Sequence, residues 1–72
     1  MSFSGSRLRE LRRQSGLSRE ALAVACDSSY PSIRFYENGL RQPSLSSAIK
    51  LAKALNCSLD DLCEVDHASA AG

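Results

Sequence analysis

The sequence predicts an all-α fold, a compact bundle of five short helices with a tight turn between helices 2 and 3. Three observations support this class. Apolar residues recur three and four positions apart, and a serine precedes each predicted helix. With two Phe, two Tyr and no Trp, the core must consist mainly of aliphatic side chains. The 72 residues make one domain with little room for an enzyme's enclosed cleft.

Composition excludes several classes of protein. Hydrophobic residues make up 43% and charged residues 24% of the chain, which is too apolar for a disordered protein. Three cysteines without CxxC spacing and a lone His67 argue against a disulfide framework and a zinc site. No Ser/His/Asp or Cys/His constellation suggests catalysis, and no cofactor or metal is expected. Because the sequence has no signal peptide or apolar run of membrane length, we expect a soluble, cytoplasmic protein with no membrane partner.

Charge is distributed unevenly along the chain. Up to Pro43 there are seven arginines against four acidic residues, whereas the remainder holds two lysines against four acids. A basic first part and an acidic end favour contact with a polyanion through one face. An ordinary solvated surface would give the same totals.

The first helix is predicted to begin at Arg7, capped by Ser6, and to end at Gly16. Residues 1–5 are predicted to be a flexible N-terminal arm, with a strap folded over the core as the alternative. Residues 6–64 then form the domain, and residues 65–72 a disordered tail.

The second helix, 19–26, has Ser18 as its N-cap, and about three residues separate it from the third helix at 29–38. That turn length is typical of a helix-turn-helix. Pro31 lacks an N–H group, so either Ser29 caps the third helix through the Ser32 N–H, or the helix begins at Pro31.

The fourth helix is capped by Ser44 and runs to about Leu55, and the short fifth helix is capped by Ser58. The predicted inward stripe of the fourth helix is Leu45, Ala48, Ile49, Ala52 and Leu55.

Three segments carry a resemblance to a known family: LRELRRQSGLSREALAVA, IRFYENG and RQPSLSSAIKLAKALNCSLDDL. Together they resemble the Cro and phage-repressor type of helix-turn-helix domain, also called the xenobiotic-response-element family, over residues 8–62. The resemblance implies a lambda-repressor-like fold in which helices 2 and 3 form the helix-turn-helix. The resemblance implies a sequence-specific transcription regulator of double-stranded DNA. Such a domain, often a repressor, binds as a homodimer with helix 3 in the major groove of a pseudo-palindromic operator.

The resemblance also implies roles for individual residues. Arg12 and Glu37 match positions that form an ion pair holding the third helix to the scaffold. The residues expected to contact phosphate are Ser18, Arg19, Ser29, Asn38, Arg41 and Gln42. For the loop of Arg41 and Gln42, a solvated loop without contacts is the alternative.

This sequence departs from the family pattern where bases would be contacted. The residues expected there are Tyr30, Pro31, Ser32, Arg34 and Phe35. Tyr30, Pro31 and Phe35 lack the bidentate groups of Gln or Arg, so packing on thymine methyl groups is expected instead. Phe35 folding back on the scaffold is an equal alternative.

A homodimer needs a self-contact, for which the candidates are Leu59, Leu62, Cys63 and Val65, with core packing as the alternative role of the two leucines. A second functional class is a protein-interaction module, such as an antitoxin or anti-repressor, that binds a partner protein through the apolar face of the third helix. Arg19, Arg34 and Arg41 favour the DNA-binding interpretation.

Overall fold

The computed structural model describes residues 2–64. Within that range the predicted helical bundle is confirmed, but it has four α-helices and not five. The elements are β1 (Ser2–Phe3), α1 (Gly5–Gln14), α2 (Arg19–Ala25), α3 (Tyr30–Glu37), α4 (Leu45–Ala54), a 3-10 helix (Asp60–Leu62) and β2 (Cys63–Glu64). The predicted fifth helix is a single 3-10 turn because the backbone becomes extended at Cys63, with φ −113° and ψ 149°.

The N-terminal residues pair with the last described residues. Strands β1 and β2 are antiparallel, with Phe3 opposite Cys63, and the Ser4 N–H donates to the Leu62 carbonyl at 2.8 Å. Residues 2–4 therefore adopt the strap alternative and not a flexible arm; Met1 lies outside the described residues. The Phe3 ring packs edge to face on Tyr36, with ring centroids 6.3 Å apart.

Helix α1 begins two residues earlier than predicted. Ser4, which is buried, is the N-cap, and its Oγ accepts a hydrogen bond from the Arg7 N–H. The predicted cap, Ser6, lies inside the helix. The earlier start follows from the strap, because the pairing of β1 with β2 holds Ser4 in the extended conformation that an N-cap requires.

The turn between α2 and α3 is short and capped at both ends. Ser18 caps α2 by accepting from the Ala21 N–H at 3.0 Å, and Asp27 leaves the helix in the left-handed region with φ 56°. Ser29 caps α3 by accepting from the Ser32 N–H at 3.3 Å. The first of the two predicted alternatives for the start of α3 is thus confirmed, and Pro31 lies in the first turn, where it needs no N–H donor.

The core lies where the C-terminal half of α4 meets the other helices. Its buried apolar residues are Leu8, Leu22, Ala23, Cys26, Ile33, Leu51, Ala52, Leu55 and Leu62. The predicted stripe of α4 is wrong in its first half, since Leu45 is 70% exposed, Ile49 is 37% exposed and Leu51 is buried instead. Among the described residues, no helix combines the length and apolar character that crossing a bilayer requires.

Candidate nucleic-acid interface

Helix α3 has one buried face and one open face. Ile33 and Glu37, four residues apart, point into the protein. Tyr30 and Phe35 are 40% and 39% exposed, and Pro31 and Arg34 are exposed as well. Ser32 differs from these predicted base contacts because it is half-buried and its hydroxyl accepts a hydrogen bond from the Ser29 hydroxyl at 2.9 Å.

A buried ion pair fastens α3 to α1. The Glu37 carboxylate is fully buried, and Arg12 donates from Nε to Oε2 at 2.6 Å and from Nη2 to Oε1 at 3.4 Å. Arg12 also donates from Nη1 to the Leu17 carbonyl at 2.9 Å. The structure thus brings together the two residues predicted to pair, and the Arg12 fork joins α1, the start of the helix-turn-helix and α3.

Two more arginines bind the same carboxylate. Arg19 Nε lies 3.1 Å and Arg9 Nε 3.4 Å from Glu37 Oε1. Arg19, predicted only as a phosphate contact, is therefore also a scaffold residue. Sequence reasoning gave no role to Arg9. Arg9 is three residues from Arg12, which places both on one face of α1. This spacing is the feature of the sequence that could have indicated a shared partner for the two arginines.

The electrostatics of this cluster are dominated by its excess of cations. Burial would raise the pKa of Glu37, but hydrogen bonds and charge from Arg12 and Arg19 outweigh burial, and the pKa lies below its ordinary value. Hydrogen bonding to Glu37, and secondarily to Tyr30, raises the pKa of Arg19. Three guanidinium groups surround one carboxylate, which leaves the cluster with two positive charges in excess.

The loop after α3 is partly occupied by internal hydrogen bonds. The Asn38 Oδ1 accepts from Arg9 Nη2 at 2.8 Å. The N–H groups of Asn38, Gly39 and Leu40 donate to the last carbonyls of α3, so none of the three is open to a phosphate. Arg41 and Gln42 are exposed in this loop. Ser18 and Ser29 lie at the starts of α2 and α3, where their hydroxyls already cap the helices.

Three of the four residues predicted to contact a second copy have partners within their own chain. Leu62 is fully buried in the core of its own chain, which contradicts its role as a dimer contact and supports the core alternative. Leu59 packs against the same core, Cys63 pairs with Phe3, and Val65 lies outside the described residues. Leu62 is the last residue of the 3-10 helix and the one residue of that helix that is buried.

Comparison with known proteins places this geometry in a family. The helix-turn-helix family model HTH_3 matches residues 8–62. An uncharacterized HTH-type transcriptional regulator of Archaeoglobus fulgidus is 37% identical over 57 residues, covering 79% of this chain and 81% of the relative.

Solved structures agree with this assignment. The restriction-modification controller protein C.AhdI of Aeromonas hydrophila is 41% identical, with a TM-score of 0.79 over 82% of this chain and 89% of that one. The P22 c2 repressor, solved in complex with a synthetic operator, is 29% identical, with a TM-score of 0.82 over 92% of this chain and all of that one. The chain belongs to the HTH_3 family of Cro/C1-type helix-turn-helix domains.

Proposed function

We propose that this protein is a DNA-binding transcription regulator that places α3 in the major groove of double-stranded DNA. The observation that carries the proposal is the open face of α3, bordered by an arginine cluster, on a helix-turn-helix scaffold. A major groove admits one α-helix, and flanking cations meet the phosphates on either side. The P22 c2 repressor, similar in fold, is known in complex with operator DNA.

The residues divide into two groups by chemistry. Phosphates are bound by Arg19, Asn38, Arg41 and Gln42 and by the first turns of α2 and α3 at Ser18 and Ser29. Bases are contacted by Tyr30, Pro31, Arg34 and Phe35. Ser32 has the weakest claim, because its half-buried hydroxyl is already engaged by Ser29. The exposed rings of Tyr30 and Phe35 favour sites with thymine methyl groups over sites that require a forked hydrogen bond.

The same proposal includes a homodimer. Helix-turn-helix proteins that bind a pseudo-palindrome do so as two-fold dimers, with one copy on each of two half-sites about one helical turn apart. With Leu62 buried, the exposed apolar residues of α4, Leu45 and Ile49, are the better self-contact. We propose no catalytic activity or cofactor and a location in the cytoplasm. The DNA-binding domain, expected at residues 6–64, also includes residues 2–5, because β1 pairs with β2 and α1 begins at Gly5.

Selection of bound sites from a random pool of DNA duplexes tests the function. The expected result is an enriched palindrome rich in T or A at the positions beneath α3. Affinity for the enriched site should fall with salt, by about 0.9 in the slope of log K against log salt for each phosphate contact. Weak binding to every duplex with a slope near zero would contradict the proposal.

The alternative function is binding of a partner protein through the apolar part of α3. The exposed side chain of Leu40 favours this alternative, because it adds to the apolar surface of Phe35. The two residues are neighbours, since the Leu40 N–H donates to the Phe35 carbonyl. Failure of the pool to enrich any motif at low salt would favour this alternative.

A further inference from the structure

One buried carboxylate holds three guanidinium groups, but it does not hold them equally. Arg12 donates from all three of its nitrogens, two bonds going to Glu37 and one to Leu17. Arg19 uses only Nε for Glu37. Arg9 uses Nε for Glu37 and Nη2 for Asn38. Within residues 2–64, one terminal nitrogen of Arg9 is thus without a protein acceptor, and the terminal nitrogens of Arg19 have no acceptor besides the nearby Tyr30 hydroxyl.

These unused donors face solvent from adjacent positions. The Arg9 and Arg19 side chains are 35% and 28% exposed, whereas the Arg12 side chain is 10% exposed. Because both Nε atoms bind the same Oε1 atom, the two guanidinium groups are close neighbours although they come from different helices. Holding them side by side costs electrostatic energy, which a second anion would recover.

We propose that Arg9 and Arg19 together bind one phosphodiester group of the DNA backbone, while Glu37 holds their Nε atoms in place from below. This inference rests on the proposed function and adds α1, through Arg9, to the DNA-contacting surface. A forked guanidinium is suited to phosphate oxygens, and a pair of them fixed by an ion pair loses little side-chain freedom on binding. Asn38, which accepts from Arg9, orients that fork at the end of α3.

Salt dependence of DNA binding tests the shared site. We compare wild type, Arg9→Gln, Arg19→Gln, the double variant, and Arg13→Gln as the control, since Arg13 is an exposed arginine of the same helix. If the two arginines share one phosphate, the double variant flattens the slope of log K against log salt by about 0.9, and each single variant by no more than that. Arg13→Gln should leave the slope at the wild-type value.

Two results would overturn the shared site while leaving DNA binding intact. One is Arg9→Gln behaving like Arg13→Gln in both affinity and slope. The other is a double variant whose slope is flattened by about 1.8, which would mean that each arginine contacts its own phosphate. A wild-type protein that binds no duplex would overturn both this inference and the proposed function.

A second measurement distinguishes loss of the phosphate contact from loss of folding stability in the variants. Ethylation of single phosphates should identify one phosphate whose modification weakens the binding of wild type most, weakens that of each single variant less, and no longer affects the double variant. Arg9→Lys keeps the charge but lacks the fork, so it should retain the slope and lose about tenfold in affinity. Wild-type affinity for Arg9→Lys, or different phosphates for the two single variants, would contradict the proposal.

Discussion

At the scale of single residues, Glu37 shows how one carboxylate can organise a surface. Its side chain has no exposed area, yet it remains ionised because Arg12 supplies a fork at 2.6 and 3.4 Å. Removing one partner of a buried pair leaves the other charge uncompensated, and here three arginines would be left around a neutral group. The carboxylate therefore stabilises the fold and sets the positions of the cations that surround it.

Replacement of Glu37 by Gln should lower the free energy of unfolding by about 3 kcal/mol at pH 7, measured by urea denaturation. It should also change the pH dependence. The folded pKa of Glu37 lies below the ordinary 4.5, so its ionisation stabilises the folded state above that pH and the contribution is lost as pH falls through the folded pKa. Wild type should lose stability below pH 4.5 more steeply than Glu37→Gln.

Asp61→Asn provides a comparison for that measurement. The pKa of Asp61 is lowered chiefly by the Ser58 N–H, which donates to its carboxylate at 3.0 Å at the exposed start of the 3-10 helix. This variant should flatten the acid limb less than Glu37→Gln does. Stability curves for wild type and Glu37→Gln that run parallel between pH 3 and pH 5 would show that Glu37 is not the group responsible.

At the scale of elements, the start of α1 lies against the end of α3. A side chain on Gly5 would collide with the Tyr36 and Glu37 carbonyl groups, so only glycine allows this approach. The C-terminal end of α3 is thereby fixed by backbone contact as well as by the Phe3 ring and the arginines. Small shifts of this end would tilt the exposed face of α3.

Gly5→Ala should weaken DNA binding by moving α3, and should lower the free energy of unfolding by about 1 to 3 kcal/mol. Gly16→Ala is the matched control: Gly16 has φ 73° and open space around the missing side chain, so its cost of about 1 kcal/mol comes from backbone strain alone. Affinity measured at a temperature where both variants are folded should fall for Gly5→Ala only. Equal affinities for the two variants would contradict a positioning role.

Which elements the sequence could predict depends on the range of the interactions that form them. The cap at Ser29 and the short turn between α2 and α3 depend on neighbouring residues, and both were predicted. The β1–β2 pairing joins two dipeptides from opposite ends of the described chain, and nothing local indicates it. In α4, Leu45 and Ile49 obey the same spacing as Ala52 and Leu55. Periodicity defines a face but not how far along that face the core extends.

The candidate site could also be predicted only in part from the sequence. The pairing of Arg12 with Glu37 came from the family resemblance, and the structure places both residues together. Arg9 was missed because an arginine one turn from another is equally compatible with a solvated face. Only the packing of α1 on α3 shows that both arginines converge on one carboxylate.

At the scale of the whole molecule, the proposed homodimer would form through the exposed Leu45 and Ile49 of α4. In an isologous interface each side chain contacts the two-fold equivalent surface. Leu45→Glu should therefore bring two like charges together and raise the dimer Kd by about tenfold or more, as measured by sedimentation equilibrium. Val24→Glu, on an equally exposed apolar residue of α2, should leave the Kd unchanged. A dimer unaffected by Leu45→Glu would place the interface elsewhere.

The pairing of Phe3 with Cys63 has a consequence for folding kinetics. This pairing closes a loop that contains nearly all of the described chain. The chain therefore loses the conformational entropy of loop closure before the two short strands form any hydrogen bond. The helices make their contacts over shorter separations and should assemble first. An interaction that forms after the transition state slows unfolding without speeding folding. The pairing of β1 with β2 would then lower the rate of unfolding and leave the rate of folding nearly unchanged, so that it lengthens the lifetime of the native protein.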